Sequence, residues 1–232
     1  IFIGTYGGEV YYYSKDNLVS RKILDTETSN RDVIAIAGTK SYVAVSWTDG
    51  NIKIFPREGD GYSSTPVESI SGVVQVRDMV FTNDNKLFYG SDDYIAYLHE
   101  INKPANEVHF IGHDEYIISV DYYNADKNML LTTSSDNTAI IWDDQGEPLY
   151  ILNHGGDVYD GKIVGKDSVI TVSKDKKLYI WKLVDGEGKF KNDIMPRVDP
   201  LTDDEKVKFG IMADDGNVSD ADSSDLKQLT SK

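Results

Sequence analysis

The chain has 232 residues, 40% hydrophobic and 11% aromatic, enough for a substantial core and too apolar for a chain disordered throughout. It carries 39 acidic against 24 basic residues, a formal net charge of −15; such a field repels phosphate backbones and anionic lipid, disfavours nucleic-acid and membrane-surface binding, and makes basic proteins the natural partners. With no cysteine there is no disulfide framework, thiolate metal site or cysteine nucleophile, which suits a reducing, intracellular compartment.

The chain opens on Ile-Phe-Ile without an initiator Met, basic n-region or cleavage site, so a truncated front is expected, and no apolar run approaches the ~18 residues that span a bilayer. The first ten-residue element is GTYGGEVYYY (4–13), a Gly-rich turn running into the aromatic strand Tyr11-Tyr12-Tyr13. The same frame returns as SWTDGNIKIF (46–55), GSDDYIAYLH (90–99), TSSDNTAIIW (133–142) and VSKDKKLYIW (172–181). Its turn acids Asp49, Asp93, Asp136 and Asp175 are spaced by 44, 43 and 39 residues, and Gly7 holds their place in the first copy. Six positions after each acid comes an aromatic residue or His: Phe55, His99, Trp142 and Trp181.

Within the fourth copy, Tyr116 to Tyr123 alternates apolar and polar, 124–128 is a turn, and Met129 to Thr133 is apolar. Ser134 to Asn137 then turns into the strand Thr138 to Trp142, and Pro148 to Leu152 follows. Four short strands repeated every 39 to 44 residues describe one blade of an all-β propeller. A β-sandwich and an irregular all-β domain are the competing folds, and neither accounts for the period.

On these residues the chain resembles the WD40-repeat β-propellers, whose pattern is Gly-His before the first strand, Ser or Thr in the second, Asp in the next turn and Trp-Asp at the end of the third. The fourth copy supplies Gly112-His113, Thr132, Asp136 and Trp142-Asp143, and the fifth supplies His154, Thr171, Asp175 and Trp181. The third keeps Asp93 but has Gly72, Tyr89 and His99 at the other places; the second keeps Asp49 with Ser29, Val45 and Phe55. The resemblance implies about five blades over 1–190, the first lacking its opening strand. It also implies a parent ring of seven blades, because an open set would expose apolar blade faces.

The resemblance makes His113, Thr132, Asp136 and Trp142, and likewise His154, Thr171, Asp175 and Trp181, hydrogen-bonded fasteners of their blades, not hydrolase triads; no nucleophile elbow or oxyanion context accompanies them. No catalytic residue, cofactor or metal site is expected. A metal would require His99, His109 and carboxylates to converge from separate blades, and no phosphate-binding glycine loop is present. Asn217-Val218-Ser219 matches a glycosylation sequon by chance.

In this family the turns before the first and third strands emerge on one face around the central channel. Here that face would include Tyr6, Arg31, Asp32, Thr48, Asp92, Glu115, Tyr116, Ser135, Asp157 and Lys174, a mixture of aromatics and acids suited to a basic peptide. Val73-Val74 is a contact patch or the start of a strand. Residues 191–232 read as an acidic, mostly disordered tail: from Asp199 to Lys232 there are nine acidic residues and four lysines. FGIMADDGNV (209–218) realigns with the repeat as an alternative sixth blade, and Ser219, with Asp222 three residues on, would suit an acidophilic kinase.

The expected function is a non-catalytic adaptor, a protein-interaction subunit of a larger complex in the nucleus or cytoplasm. The alternative is a reader of a short basic or modified motif, such as a histone tail or degron, in the channel.

Overall fold

The computed structural model describes residues 1–13, 21–25, 31–124 and 128–183. The domain boundary expected at 190/191, the tail, the sixth-blade segment 209–218, Ser219 and Ser29 lie outside them. The first sheet consists of β1 (Phe2–Gly4), β2 (Val10–Tyr13) and β3 (Arg21–Asp25), in that order. The second contains β4 (Val33–Gly38), β5 (Tyr42–Trp47), β6 (Ile52–Glu58), β7 (Gly61–Tyr62) and β8 (Glu68–Ile70), with both β7 and β8 pairing on β6. The third is a four-stranded meander of β9 (Val76–Phe81), β10 (Leu87–Ser91), β11 (Ile95–His99) and β12 (Val108–Ile111). The fourth repeats it with β13 (Ile117–Asn124), β14 (Asn128–Ser134), β15 (Thr138–Trp142) and β16 (Pro148–Asn153). The fifth has β17 (Val158–Gly165), β18 (Ser168–Ser173) and β19 (Leu178–Lys182). Every pairing is antiparallel, as the tight turns between consecutive strands require.

Successive sheets stack face to face through four apolar layers. Val10, Val43, Val45, Trp47 and Phe55 fill the first, and Ala44, Ile52, Ile54, Met79, Leu87 and Tyr89 belong to the second. Phe88, Phe110, Ile117, Leu130, Ile140 and Trp142 belong to the third, and Leu131, Ile141, Val158, Val169, Tyr179 and Trp181 to the fourth. A sheet sandwiched between two others buries both of its faces, which is why β10 and β14 are buried almost throughout and carry no charged residue. Gly90 in β10 is imposed by this stacking: a Cβ there would lie 2.3 Å from Ile117 Cγ2 of the next sheet.

The inner strands β4, β9, β13 and β17 lie beside one another in succession, and carboxylates stitch the last three. Asp78 Oδ2 accepts the Val120 N–H at 3.0 Å and the Ser119 hydroxyl at 2.9 Å, while Asp121 Oδ2 accepts the Ile163 N–H at 2.8 Å. Burial, with the Asp160 carboxylate also facing the group, pushes Asp78 above the usual carboxylate range despite these donors. The sequence pattern did not predict the β6–β7 hairpin. It carries Tyr62 onto Phe2 and Tyr12, each ring centroid 5.3 Å away, and so clamps the first sheet to the second.

Candidate functional site

The turn between the second and third strands of a repeat is built the same way each time. In the last four copies the Asp Oδ1 accepts the N–H two residues ahead: Asn51 at 3.0 Å, Ile95 at 3.1 Å, Thr138 at 2.8 Å and Lys177 at 3.2 Å. This is an Asx turn, which a short carboxylate forms more readily than the backbone forms any competing structure. The following residue takes a left-handed conformation in all five copies: Gly8 (φ 82°), Gly50 (79°), Tyr94 (74°), Asn137 (69°) and Lys176 (67°). Gly50 is required twice over, because a Cβ at that position would also collide with the Val73 carbonyl oxygen at 1.9 Å.

The second carboxylate oxygen is held in three different ways across the four copies. In the fourth, Asp136 Oδ2 meets His113 Nδ1 at 2.7 Å, His113 Nε2 meets Thr132 Oγ1 at 2.7 Å, and the Trp142 indole donates to Thr132 Oγ1 at 2.8 Å. Burial alone would raise Asp136, but its hydrogen bond and charge interaction with His113, together with the Thr138 hydroxyl and the Asp114 N–H, bring it down to about 2. In the fifth copy His154 Nε2 meets Thr171 Oγ1 at 2.6 Å and Trp181 donates to the same oxygen at 2.8 Å. There Asp175 does not join the expected chain: the Tyr179 phenol, four residues on, donates to its Oδ2, and His154 Nδ1 is buried without a hydrogen-bond partner among the described residues. Burial accordingly pushes the His154 imidazole below its ordinary value.

The third copy uses the same tyrosine device, Tyr97 donating to Asp93 Oδ2 at 2.6 Å. His99, in the tryptophan position, is buried between Glu68 and Glu107, each 3.0 Å from a ring nitrogen, and joins the second sheet to the third. In the second copy Arg31 does the holding. It was expected on the binding face, but it is only 7% exposed: its guanidinium donates to Asp49 at 2.9 Å and lies 4.5 Å above the Trp47 ring. The aromatic surface and the carboxylate draw it inward, so it belongs to the fastener and not to the face.

In four sheets a repeated backbone hydrogen bond ties the turn, at the rim of the sheet, to the loop that enters the same sheet. Thr48 N–H donates to Asp32 O at 2.9 Å, Asp92 to Gln75 at 3.0 Å, Ser135 to Tyr116 at 3.1 Å and Lys174 to Asp157 at 2.8 Å. Hydroxyls add a second tie in three copies, Ser91 to Val74 O, Ser134 to Glu115 O and Ser173 to Gly156 O. Tyr6 projects from the first turn, 89% exposed, and the Thr5 carbonyl beside it accepts the Val33 N–H of the second sheet. Two ion pairs cross the rim: Lys174 Nζ to Asp157 Oδ2 at 3.0 Å, and Arg77, bidentate on Asp92, with its second contact at 2.8 Å. Val73 and Val74 precede β9; Val73 packs on the second apolar layer and Val74 is exposed loop.

Four of the five left-handed residues also touch the next sheet or the loop entering it. Gly8 O accepts the Trp47 indole N–H at 2.9 Å, Gly50 lies against the Val73 carbonyl, and Asn137 O accepts the His154 N–H at 2.9 Å. Tyr94 does this with its side chain: its ring lies 5.8 Å, centroid to centroid, from Tyr116, which carries the Arg77 guanidinium 5.3 Å from its centroid. Tyr94 was missed in the sequence, although a bulky residue where the other copies place Gly, Gly, Asn and Lys was the available signal. Among the described residues no group of three or more His, Cys, Asp or Glu is placed to hold a metal ion, and no helix is long and apolar enough to cross a membrane.

The repeat family described as "WD domain, G-beta repeat" matches residues 105–143, which contain the complete His113–Thr132–Asp136–Trp142 chain. The fold is that of a WD40-type β-propeller, and this one repeat matches the family's pattern. Solved structures agree on the fold: the WD40 propeller domain of Doa1 superposes with a TM-score of 0.56 at 21% identity, covering 66% of this chain and 52% of that one. A chain of the Mitotic Checkpoint Complex superposes with a TM-score of 0.65 at 17% identity, covering 78% and 62%. The mouse Denticleless protein homolog is 27% identical over 139 residues, 56% of this chain but 19% of its own length, so the chain spans about a fifth of that relative.

Proposed function

We propose that this WD40 propeller is a non-catalytic protein-interaction module that positions a partner within a larger intracellular assembly, and that the partner docks through a basic segment on the rim of paired loops. The observation carrying this reading is the repetition of the turn-to-loop hydrogen bond in four consecutive sheets, from Thr48 to Asp32, Asp92 to Gln75, Ser135 to Tyr116 and Lys174 to Asp157. Sites mounted on ordered turns bind with less ordering entropy than sites on free loops. The net charge of −15 favours a basic guest, and a chain of similar fold in the Mitotic Checkpoint Complex is consistent with the role.

Catalysis by the His–Thr–Asp grouping is disfavoured on physical grounds: the His113 side chain is fully buried and both its ring nitrogens are engaged, which leaves no approach for a substrate. The absence of cysteine suits a reducing compartment. The test is co-purification of partners with the chain, followed by the same experiment on a variant in which Asp32, Asp157 and Glu115 are replaced by Lys. Loss of the partners with the melting temperature unchanged supports the reading, and undiminished recovery overturns it.

A further inference from the structure

Most of the rim is occupied with holding itself together. Asp92 is neutralised by Arg77 and Asp157 by Lys174, and of the four left-handed turn residues that touch the next sheet or its entering loop, Gly8, Gly50 and Asn137 do so through backbone. The joint between the third and fourth sheets differs on three independent counts. Tyr94 stands at φ 74°, a region in which a bulky side chain is disfavoured and which persists only where the surroundings enforce it. Its ring and that of Tyr116 are 38% and 41% exposed, so two large aromatics are held on the surface at a conformational cost that glycine would avoid. Beside them, Asp114 and Glu115 are exposed and enter no ion pair among the described residues; Glu115 lies near enough to hold the Tyr94 phenol above its ordinary value. The protein's own Arg77 already rests against one of the two rings, which shows what these faces attract.

We propose that Tyr94, Tyr116 and Glu115 form a receptor for a single cationic side chain, an arginine or lysine in an exposed segment of a partner protein, with the rings contributing their faces and Glu115 the counter-charge. The inference rests on the rim being the docking face and adds where on it the recognition is concentrated. It also explains why the strained tyrosine is tolerated: the strain holds the ring outward, where a turn glycine would leave only backbone. An anionic or purely apolar guest would leave Glu115 uncompensated and fits the joint less well.

The probes are three blocked peptides, acetyl-Gly-Ser-X-Ser-Gly-amide, with X arginine, lysine or the neutral isostere citrulline, titrated into the isotopically labelled full chain and followed by amide NMR. Expected are saturable shifts confined to residues 92–95 and 114–117 for the arginine and lysine peptides, with citrulline about tenfold weaker. Tyr116→Ala and Tyr94→Gly should each weaken the cationic peptides about three- to fivefold, the scale of an exposed cation–π contact, and Glu115→Gln should flatten the salt dependence. Tyr94→Gly relieves the backbone strain, so its melting temperature should stay within a few degrees of the parent and a lost signal cannot be assigned to unfolding. Equal binding of citrulline, or shifts at the other turns that survive Tyr94→Gly, overturns the receptor but leaves the rim reading intact. Saturable shifts on the opposite edge of the sheets, with the rim silent, overturns both.

Discussion

The fourth and fifth sheets contain the same His, Thr, Asp and Trp residues, yet only the fourth closes the hydrogen-bonded chain from end to end, and a pair of double-mutant cycles separates the two. In the fourth, His113→Ala removes an imidazole whose Nδ1 lies 2.7 Å from Asp136, with side-chain exposures of 0% and 10%. A buried hydrogen bond to a charged group contributes about 1.5–3 kcal/mol, so the coupling between His113→Ala and Asp136→Ala should be about 2 kcal/mol. In the fifth, Asp175 is held by Tyr179 and His154 makes no hydrogen bond to it. The cycle of His154→Ala with Asp175→Ala should therefore give a coupling below about 0.5 kcal/mol, the range of sites that act independently. Urea unfolding of the parent and six variants at pH 7, fitted with a common slope, measures both. Equal couplings in the two sheets, or a larger one in the fifth, would refute the assignment of Asp175 to Tyr179.

Arg31→Met keeps the length of the side chain but removes the Asp49 contact and the cation over Trp47; unfolding should show a loss of about 1–2 kcal/mol, discounted because Asp49 is over a third exposed. Gly90→Ala should cost about 2 kcal/mol, because its methyl group overpacks against Ile117, and a neutral effect in a thermal melt would contradict the stacking of the third sheet on the fourth. The depressed His154 titration carries a sign: the folded state keeps the imidazole neutral, so the unfolded state binds the extra proton below pH 6.5. Stability should be full above that pH and decline as pH falls through the lower folded value, and His154→Gln should abolish that slope in unfolding curves taken from pH 5 to 8. Asp136 acts at the acid end, where its stabilisation is complete above pH 3.8 and lost as pH falls through about 2; Asp136→Asn should flatten acid unfolding in that window.

Strand positions were legible because they depend on local alternation and on turn chemistry: β15 was read as Thr138 to Trp142 and spans those residues. The four turn acids were legible for the same reason, since an Asx turn needs nothing from elsewhere in the chain. What grips the second carboxylate oxygen was not. That group comes from the same strand at Tyr97 and Tyr179, from a distant loop at His113, and from a residue expected on the surface at Arg31. A repeat pattern aligned on His, Ser/Thr and Trp cannot see a tyrosine four residues beyond the acid. Similarly, β6 runs past Phe55 before Gly59 (φ 56°) reverses it into β7, and the Tyr62 that this hairpin sets on Phe2 and Tyr12 is a contact between sheets that no local pattern announces. On the rim, Tyr116 was read from its place before an inner strand, whereas Tyr94 emerges only when the φ angles of the five turns are set side by side.

Docking on the rim is tested most directly by site-specific photo-crosslinking of the complex between the full chain and the protein that co-purifies with it. A benzophenone amino acid is placed in turn at the rim positions Tyr6, Thr48 and Ser135 and at Asn83, Gln145 and Lys166, which lie in exposed turns at the opposite ends of the strands. Partner adducts should form from the rim set, most strongly at Ser135 beside the Tyr94–Tyr116 joint, and be near background from the opposite set. Adducts of equal or greater yield from Asn83, Gln145 and Lys166 would contradict docking on the rim.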